Sequence, residues 1–456
     1  MSYQAFLAQK SMLPPTSGIS ITDGAIHPSL HPFQRDLVRW ALRKGRAAVF
    51  ADTGLGKTRM QLEWARLTGE RVLILAPLAV AKQTVREAAV LGAEVTYARS
   101  MADAGPITIT NYEMADRFEA SAFGAVVLDE SSILKSADGK TRTKLINQFA
   151  QAPYRLCCTA TPAPNDIAEI ANHAEFLGIM TRTEMLAMFF VHDDQGWRLK
   201  GHAREPFYRW LASWGMSLKR PSDLGYDDTG YDLPDLTISP VIVPTDYTPP
   251  GQLFATTLKG VGDRAAVRAS TINDRVAAAI ALIDQEPSEP WIVWCGLNDE
   301  QDAIAAALGA DAVSVYGSLA PDEKVNRLES WIAGEQRILV SKLSVCGFGL
   351  NLQRCARMVF VGLSDSYEAY YQGIRRCWRY GQTRPVTAHV VLTDVEEPIY
   401  YNVLRKEQEA AEMAAELVKH TAIYEQSELG HAVQTTPYVP TVAMRLPLWL
   451  EDKHAA

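Results

Sequence analysis

The run AAVFA, Ala47 to Ala51, leads straight into ADTGLGKT, Ala51 to Thr58, and a helical pattern follows. Small apolar residues without a polar interruption read as a buried strand, and a glycine-rich turn between strand and helix is the setting that a phosphate-binding loop requires. Gly54 and Gly56 let the backbone curl so that its N–H groups point inward, with Thr53 and Leu55 completing the cradle. Lys57 can reach the β and γ phosphates of a nucleotide, and Thr58 can ligand magnesium. The first glycine of the full pattern is replaced by Ala51. The alternative is a chance glycine-rich turn, and the strand before it and the helix after it count against that.

Outward from this loop, buried-strand runs alternate with helical stretches in two blocks, the signature of parallel sheets with crossover helices. The first block has strands at about 47–51, 71–77, 107–110, 125–130 and 155–162; the second has them at 291–296, 312–317, 337–342, 358–362 and 388–393. The expected fold is therefore α/β, with two similar parallel-sheet lobes at 31–184 and 271–395 and a ligand cleft between them. A leader, 1–30, precedes them. An irregular, aromatic, locally basic insert with an inter-lobe linker fills 185–270, and a long helix with a polar tail occupies 396–456.

The strand AVVLDE, Ala125 to Glu130, ends in two adjacent carboxylates where open α/β sheets place their ligands. Asp129 can hold magnesium through water, and Glu130 can orient and deprotonate an attacking water. A solvated acid pair at a strand end is the bland alternative. The segment QGIRRCWRYGQ, Gln372 to Gln382, crowds three arginines into a chain of 456 residues whose formal net charge is -8. A triphosphate on the first lobe is a partner that such arginines could meet, and removing an arginine finger costs about 10³ to 10⁵ in rate. A structural ion-pair cluster is the other reading.

The net charge argues against a broad basic surface, so any nucleic-acid contact has to come from a local groove. The six cysteines lack metal-site spacing and read as reduced core residues of a cytoplasmic protein. No apolar run approaches bilayer length, so no membrane contact is expected.

In order, these segments resemble the motifs of superfamily-two helicases, and most closely the Swi/Snf-type ATP-dependent DNA translocases. HPFQRDLVRWAL is similar to the adenine-reading segment, with Gln34 as its glutamine. ADTGLGKT resembles motif I, LAPLAVAKQTVRE motif Ia, TITNYEM motif Ib, LDESSILKS motif II and RLCCTATPAPNDIAEI motif III. SVCGFGLNLQ resembles motif V and YQGIRRCWRYGQ motif VI. The resemblance implies two RecA-like lobes and ATP with magnesium in the cleft. It also implies that Gly349, Gln372, Arg376 and Arg379 face the nucleotide, with Arg379 as the finger. Ser131 and Ser132 depart from the usual Ala-His, Gly362 from the usual aspartate, and Arg375 stands where an acidic residue is common.

Loop groups at strand ends are the candidate phosphate contacts for nucleic acid: Pro77, Lys82, Thr110, Asn111, Ser341 and Lys342, each with an ordinary surface loop as the alternative. In FYRWLASW the spacing of Phe207, Trp210, Leu211 and Trp214 makes one apolar helix face, read as core in preference to base stacking. The long helix is expected to pack along the second lobe. The resemblance, strongest to compact bacteriophage and prophage helicases, implies a monomer in a bacterial cytoplasm, with DNA, duplex above all, as partner. A phage or host replication or recombination protein is a second candidate partner. The expected activity is DNA-stimulated ATP hydrolysis driving movement along duplex DNA. Strand separation on single-stranded DNA or RNA, and a nucleotide-gated DNA clamp with low turnover, are the alternatives.

Overall fold

The computed structural model describes residues 16–77, 80–136, 139–193, 196–245, 268–347 and 351–428. Every strand pair in its two large sheets is parallel, which is why most of the strands are continuous apolar runs covered on both faces.

The first sheet has seven strands in the order β3-β4-β2-β5-β6-β1-β9. These are β1 (Arg46–Ala51), β2 (Val72–Ala76), β3 (Val95–Tyr97), β4 (Ile107–Asn111), β5 (Ala125–Asp129), β6 (Tyr154–Cys158) and β9 (Gly215–Leu218). The second sheet has six in the order β10-β15-β14-β11-β13-β12. They are β10 (Leu236–Val243), β11 (Trp291–Cys295), β12 (Ala312–Val315), β13 (Ile338–Lys342), β14 (Arg357–Val361) and β15 (Val386–Thr393). A hairpin, β7 (Phe190–Asp193) with β8 (Gly196–Leu199), stands apart from both.

The lobe boundaries differ from those expected. The first lobe continues past 184 to Leu218, because the helix Arg204–Ala212 carries Phe207, Trp210 and Leu211 into its core and β9 then pairs with β1. Trp214 is buried there too, so these rings are core and not a stacking platform. The second lobe begins at Leu236, since β10 pairs with β15 along its whole length. The linker between them, like the β7–β8 hairpin, belongs to neither large sheet. Of the expected leader, residues 17–19 hydrogen-bond to the end of the helix Pro32–Lys44, and Ile26 and Leu30 enter the first lobe's core.

The helix Glu397–Glu428 does not stay on the second lobe. Its first half buries Ile399 and Val403 in the second lobe's core, and further along Met413 and Leu417 are buried in the first lobe's core. Arg204 pairs with Glu416 at 3.5 Å, and the Tyr208 and His420 rings stack at 6.0 Å. One helix thus spans both lobes.

Candidate nucleotide cleft and inter-lobe groove

At the carboxyl end of β1 the loop turns through Gly54 (φ 94) and Gly56 (φ 82), conformations that side chains with a Cβ rarely adopt. Close approach demands glycine as well: a Cβ on Gly54 would stand 2.8 Å from the Tyr380 ring. Lys57 opens the next helix, and its Nζ donates to the carbonyls of Ala51 at 2.8 Å and Asp52 at 3.3 Å. Gln34 is buried and braces this loop, donating from Nε2 to Leu55 O at 2.9 Å while its Oε1 accepts from His31 N at 3.0 Å.

Two strands away, β5 delivers Asp129 and Glu130 beside the end of β6, with Asp129 in register with Cys158. Asp129 is buried; desolvation and the neighbouring Glu130 charge push its pKa up to about 7, against the pull of Lys57. Glu130 has φ 53, the one positive φ among the described non-glycine residues, and its carboxylate takes a long hydrogen bond from Thr159 at 3.5 Å. Strain of this kind costs about 1–3 kcal/mol and tends to gather at functional sites.

From the second lobe come Arg376 and Arg379. Gln372 holds Arg376, accepting its Nε at 2.9 Å on the backbone and its Nη2 at 2.5 Å on the side chain. Burial lowers the Arg376 pKa to about 10 although the Glu130 charge opposes the fall, and burial beside Arg375 lowers that of Arg379.

These groups line one cleft of about 330 Å³: Gln34, Thr53, Gly54, Gly56, Lys57, Thr58, Asp129 and Glu130 from the first lobe, Arg376 and Arg379 from the second. His31, Arg59, Gln83, Glu87 and Tyr231 also line it and were not read from the sequence. Only His31 had a signal, its place three residues before Gln34. Two expected residues stand elsewhere. Leu55 points into the core, as apolar side chains do, and Gln372 is fully buried behind Arg376 because it orients that guanidinium. Gly349 lies outside the described residues.

The donor set suits a magnesium ion. Among the described residues no three His, Cys, Asp or Glu side chains converge to hold a metal alone. Asp129, with its charge disfavoured by burial and Glu130, and the Thr58 hydroxyl supply two oxygen donors, the partial set magnesium takes when phosphate and water complete its shell.

Behind Glu130 a larger inter-lobe groove of about 990 Å³ opens, and Glu130 lines both cavities. Of the expected nucleic-acid contacts Pro77 lines this groove. Thr110, Asn111 and Ser341 are buried at the strands that carry them, Ser341 donating to Val315 O at 2.8 Å, and none of the three lines the groove. Lys342 is absent from the lining, and the Lys82 side chain lies outside the described residues. The lining cations are instead Arg99, Lys135 and Lys324.

Two parallel-sheet lobes share one cleft built on a glycine-rich strand-to-helix loop, the setting of a nucleotide-binding protein. Residues 274–381 match the family described as Helicase conserved C-terminal domain. The chain is 21% identical over 444 residues to the SWI/SNF-related matrix-associated actin-dependent regulator of chromatin subfamily A-like protein 1 of Drosophila melanogaster. That match covers 88% of this chain and 58% of the relative, so the chain spans less than two thirds of that protein's length. A solved structure, the Sulfolobus solfataricus SWI2/SNF2 ATPase core in complex with dsDNA, is 17% identical over 87% of this chain and 96% of its own, with a TM-score of 0.42. The chain thus carries a match to a helicase C-terminal domain over residues 274–381 and is similar to a Swi/Snf-related protein over most of its length.

Proposed function

We propose that this chain hydrolyses ATP and couples turnover to movement along DNA, duplex DNA above all. The observation that carries the reading is the single cleft to which one lobe contributes Lys57, Asp129 and Glu130 and the other Arg376 and Arg379. Lys57 turned from the Ala51 carbonyl would neutralise the terminal phosphates. Asp129 and Thr58 would hold magnesium, which when bound offsets phosphate charge. Glu130 would take the proton of the attacking water, while Arg376 and Arg379 meet charge developing on the transferred phosphoryl group. Because Glu130 lines both cavities, a change at the phosphate is felt at the groove wall, and Arg99, Lys135 and Lys324 are the groups to grip a nucleic-acid backbone.

The test is steady-state ATP hydrolysis with duplex DNA, single-stranded DNA and RNA titrated in parallel. Strongest stimulation by duplex supports the reading. Preference for a single strand replaces it with strand separation, and no stimulation by any of them replaces it with a nucleotide-gated clamp.

A further inference from the structure

The three arginines of motif VI are not equivalent. Arg376 and Arg379 line the cleft; Arg375 does not, and is 1% exposed. It reaches across to the other lobe, where its Nη2 lies 2.7 Å from Asp52 Oδ2 and 3.1 Å from Thr53 O, both in the phosphate loop. Asp52 is itself gripped from both lobes: its Oδ1 accepts the Tyr371 hydroxyl and, at 2.6 Å, the Thr53 N–H. Trp378 at 4.8 Å and Tyr371 and Tyr380 at 5.8 Å present their rings to the Arg375 guanidinium. Its neighbours add two more ties to the inter-lobe linker, Trp378 Nε1 to Pro234 O at 2.7 Å and the Tyr380 hydroxyl to Lys219 O.

We propose that Arg375 is a positioning residue, a latch that docks the finger-bearing segment on the phosphate loop so that the cleft is assembled before nucleic acid binds. The argument is geometric. Arg375 immediately precedes Arg376, and Asp52 lies five residues before Lys57 in a loop with little slack, so their pairing fixes finger and phosphate cradle relative to each other. A desolvated, multiply bonded ion pair is specific in geometry, and losing one partner strands the other charge. Asp52 also answers the crowding of like charge: it neutralises Arg375 and leaves the other two guanidinium groups for the cleft.

The claim that hydrolysis is affected rests on the proposed ATPase; the claim of lobe docking does not. The full chain would be compared with Arg375→Ala, Asp52→Asn, the double variant and Arg375→Lys. The readouts are the radius of gyration from small-angle scattering without nucleotide, and kcat and KM for ATP with and without saturating duplex DNA. Melting curves check that each variant folds. Both single variants should be more expanded than wild type. Their DNA-free kcat should fall about tenfold while the DNA-saturated kcat stays within about threefold, and the double variant should be no worse than either single one. Arg375→Lys, which keeps the charge and loses the fork, should fall between. Wild-type scattering in both single variants overturns the latch. Equal losses with and without DNA overturn the positioning role in favour of direct chemistry or a purely structural part. A wild-type chain that never hydrolyses ATP sinks the proposed function, while the scattering comparison still decides the docking.

Discussion

Glu130 is held in left-handed backbone and lines both the cleft and the groove, and on the proposed function it is the residue that activates water. Glu130→Gln should keep ATP binding, measured by fluorescent nucleotide titration, and lose about 10² to 10⁴ in turnover. Arg379→Ala should lose about 10³ to 10⁵ in kcat with nucleotide affinity largely kept. Turnover at the wild-type rate in either variant would remove these residues from the mechanism. Gln372→Ala should fall less far than Arg376→Ala, because it acts only through that guanidinium. A pH effect belongs to the same neighbourhood. His173 is buried, hydrogen-bonded to Ser131 at 3.1 Å, and burial lowers its pKa to about 4. At this residue the unfolded chain binds one more proton than the folded one between about 4 and 6.5. The His173 contribution to stability therefore falls by up to about 3 kcal/mol as pH drops through that window, while the raised Asp129 carboxyl contributes in the opposite direction across the same range. In urea titrations across the window, the stability of wild type relative to His173→Asn should fall as pH drops; a constant difference would mean that another group titrates there.

The elements that the sequence revealed and those it hid differ in one physical respect. All ten strands read from apolar runs are present, and all but β12 are interior to their sheets, where burial on both sides writes a continuous signal. In the two large sheets the ones missed, β3, β9 and β10, lie at the edges, and the β7–β8 hairpin, also missed, belongs to neither. β9 is only Gly215–Leu218, and β10 alternates in burial and contains Pro240, which a sheet accepts at its margin. The phosphate loop and the acid pair were legible because local spacing sets their geometry. The groove cations were not, since Arg99, Lys135 and Lys324 meet only through tertiary packing. The long helix was legible as a helix but not as a bridge, because Ile399, Val403, Met413 and Leu417 look like one stripe until two cores are seen to receive it. Leu417→Ala should destabilise the first lobe by about 2–4 kcal/mol in denaturant titrations. Trp214→Phe should leave DNA stimulation of hydrolysis intact, its ring being buried; a loss of stimulation without a change in melting temperature would return it to the nucleic-acid interface.

For the molecule as a whole, the net charge of -8 and a groove with three lining cations point to modest electrostatic attraction. One of those cations, Lys135, is already paired with Glu368. The log–log salt dependence of duplex binding should accordingly have a slope of about two to three, at about 0.7 to 0.9 per phosphate neutralised, and a slope near ten would mean a basic surface lies elsewhere.

The spanning helix and the linker both cross on the side of the molecule where β9 and β10 form the sheet margins. The lobes are therefore bound like the boards of a book along one spine. The phosphate loop follows β1, a single strand from that spine, whereas Tyr97 and Arg99 in the groove stand at or just beyond β3, six strands out. At about 4.8 Å per strand, a swing that shifts the loop by a given amount moves the far margin roughly six times as far. On the proposed reading, a small closure at the phosphate would be geared up into a larger displacement at the far wall of the groove.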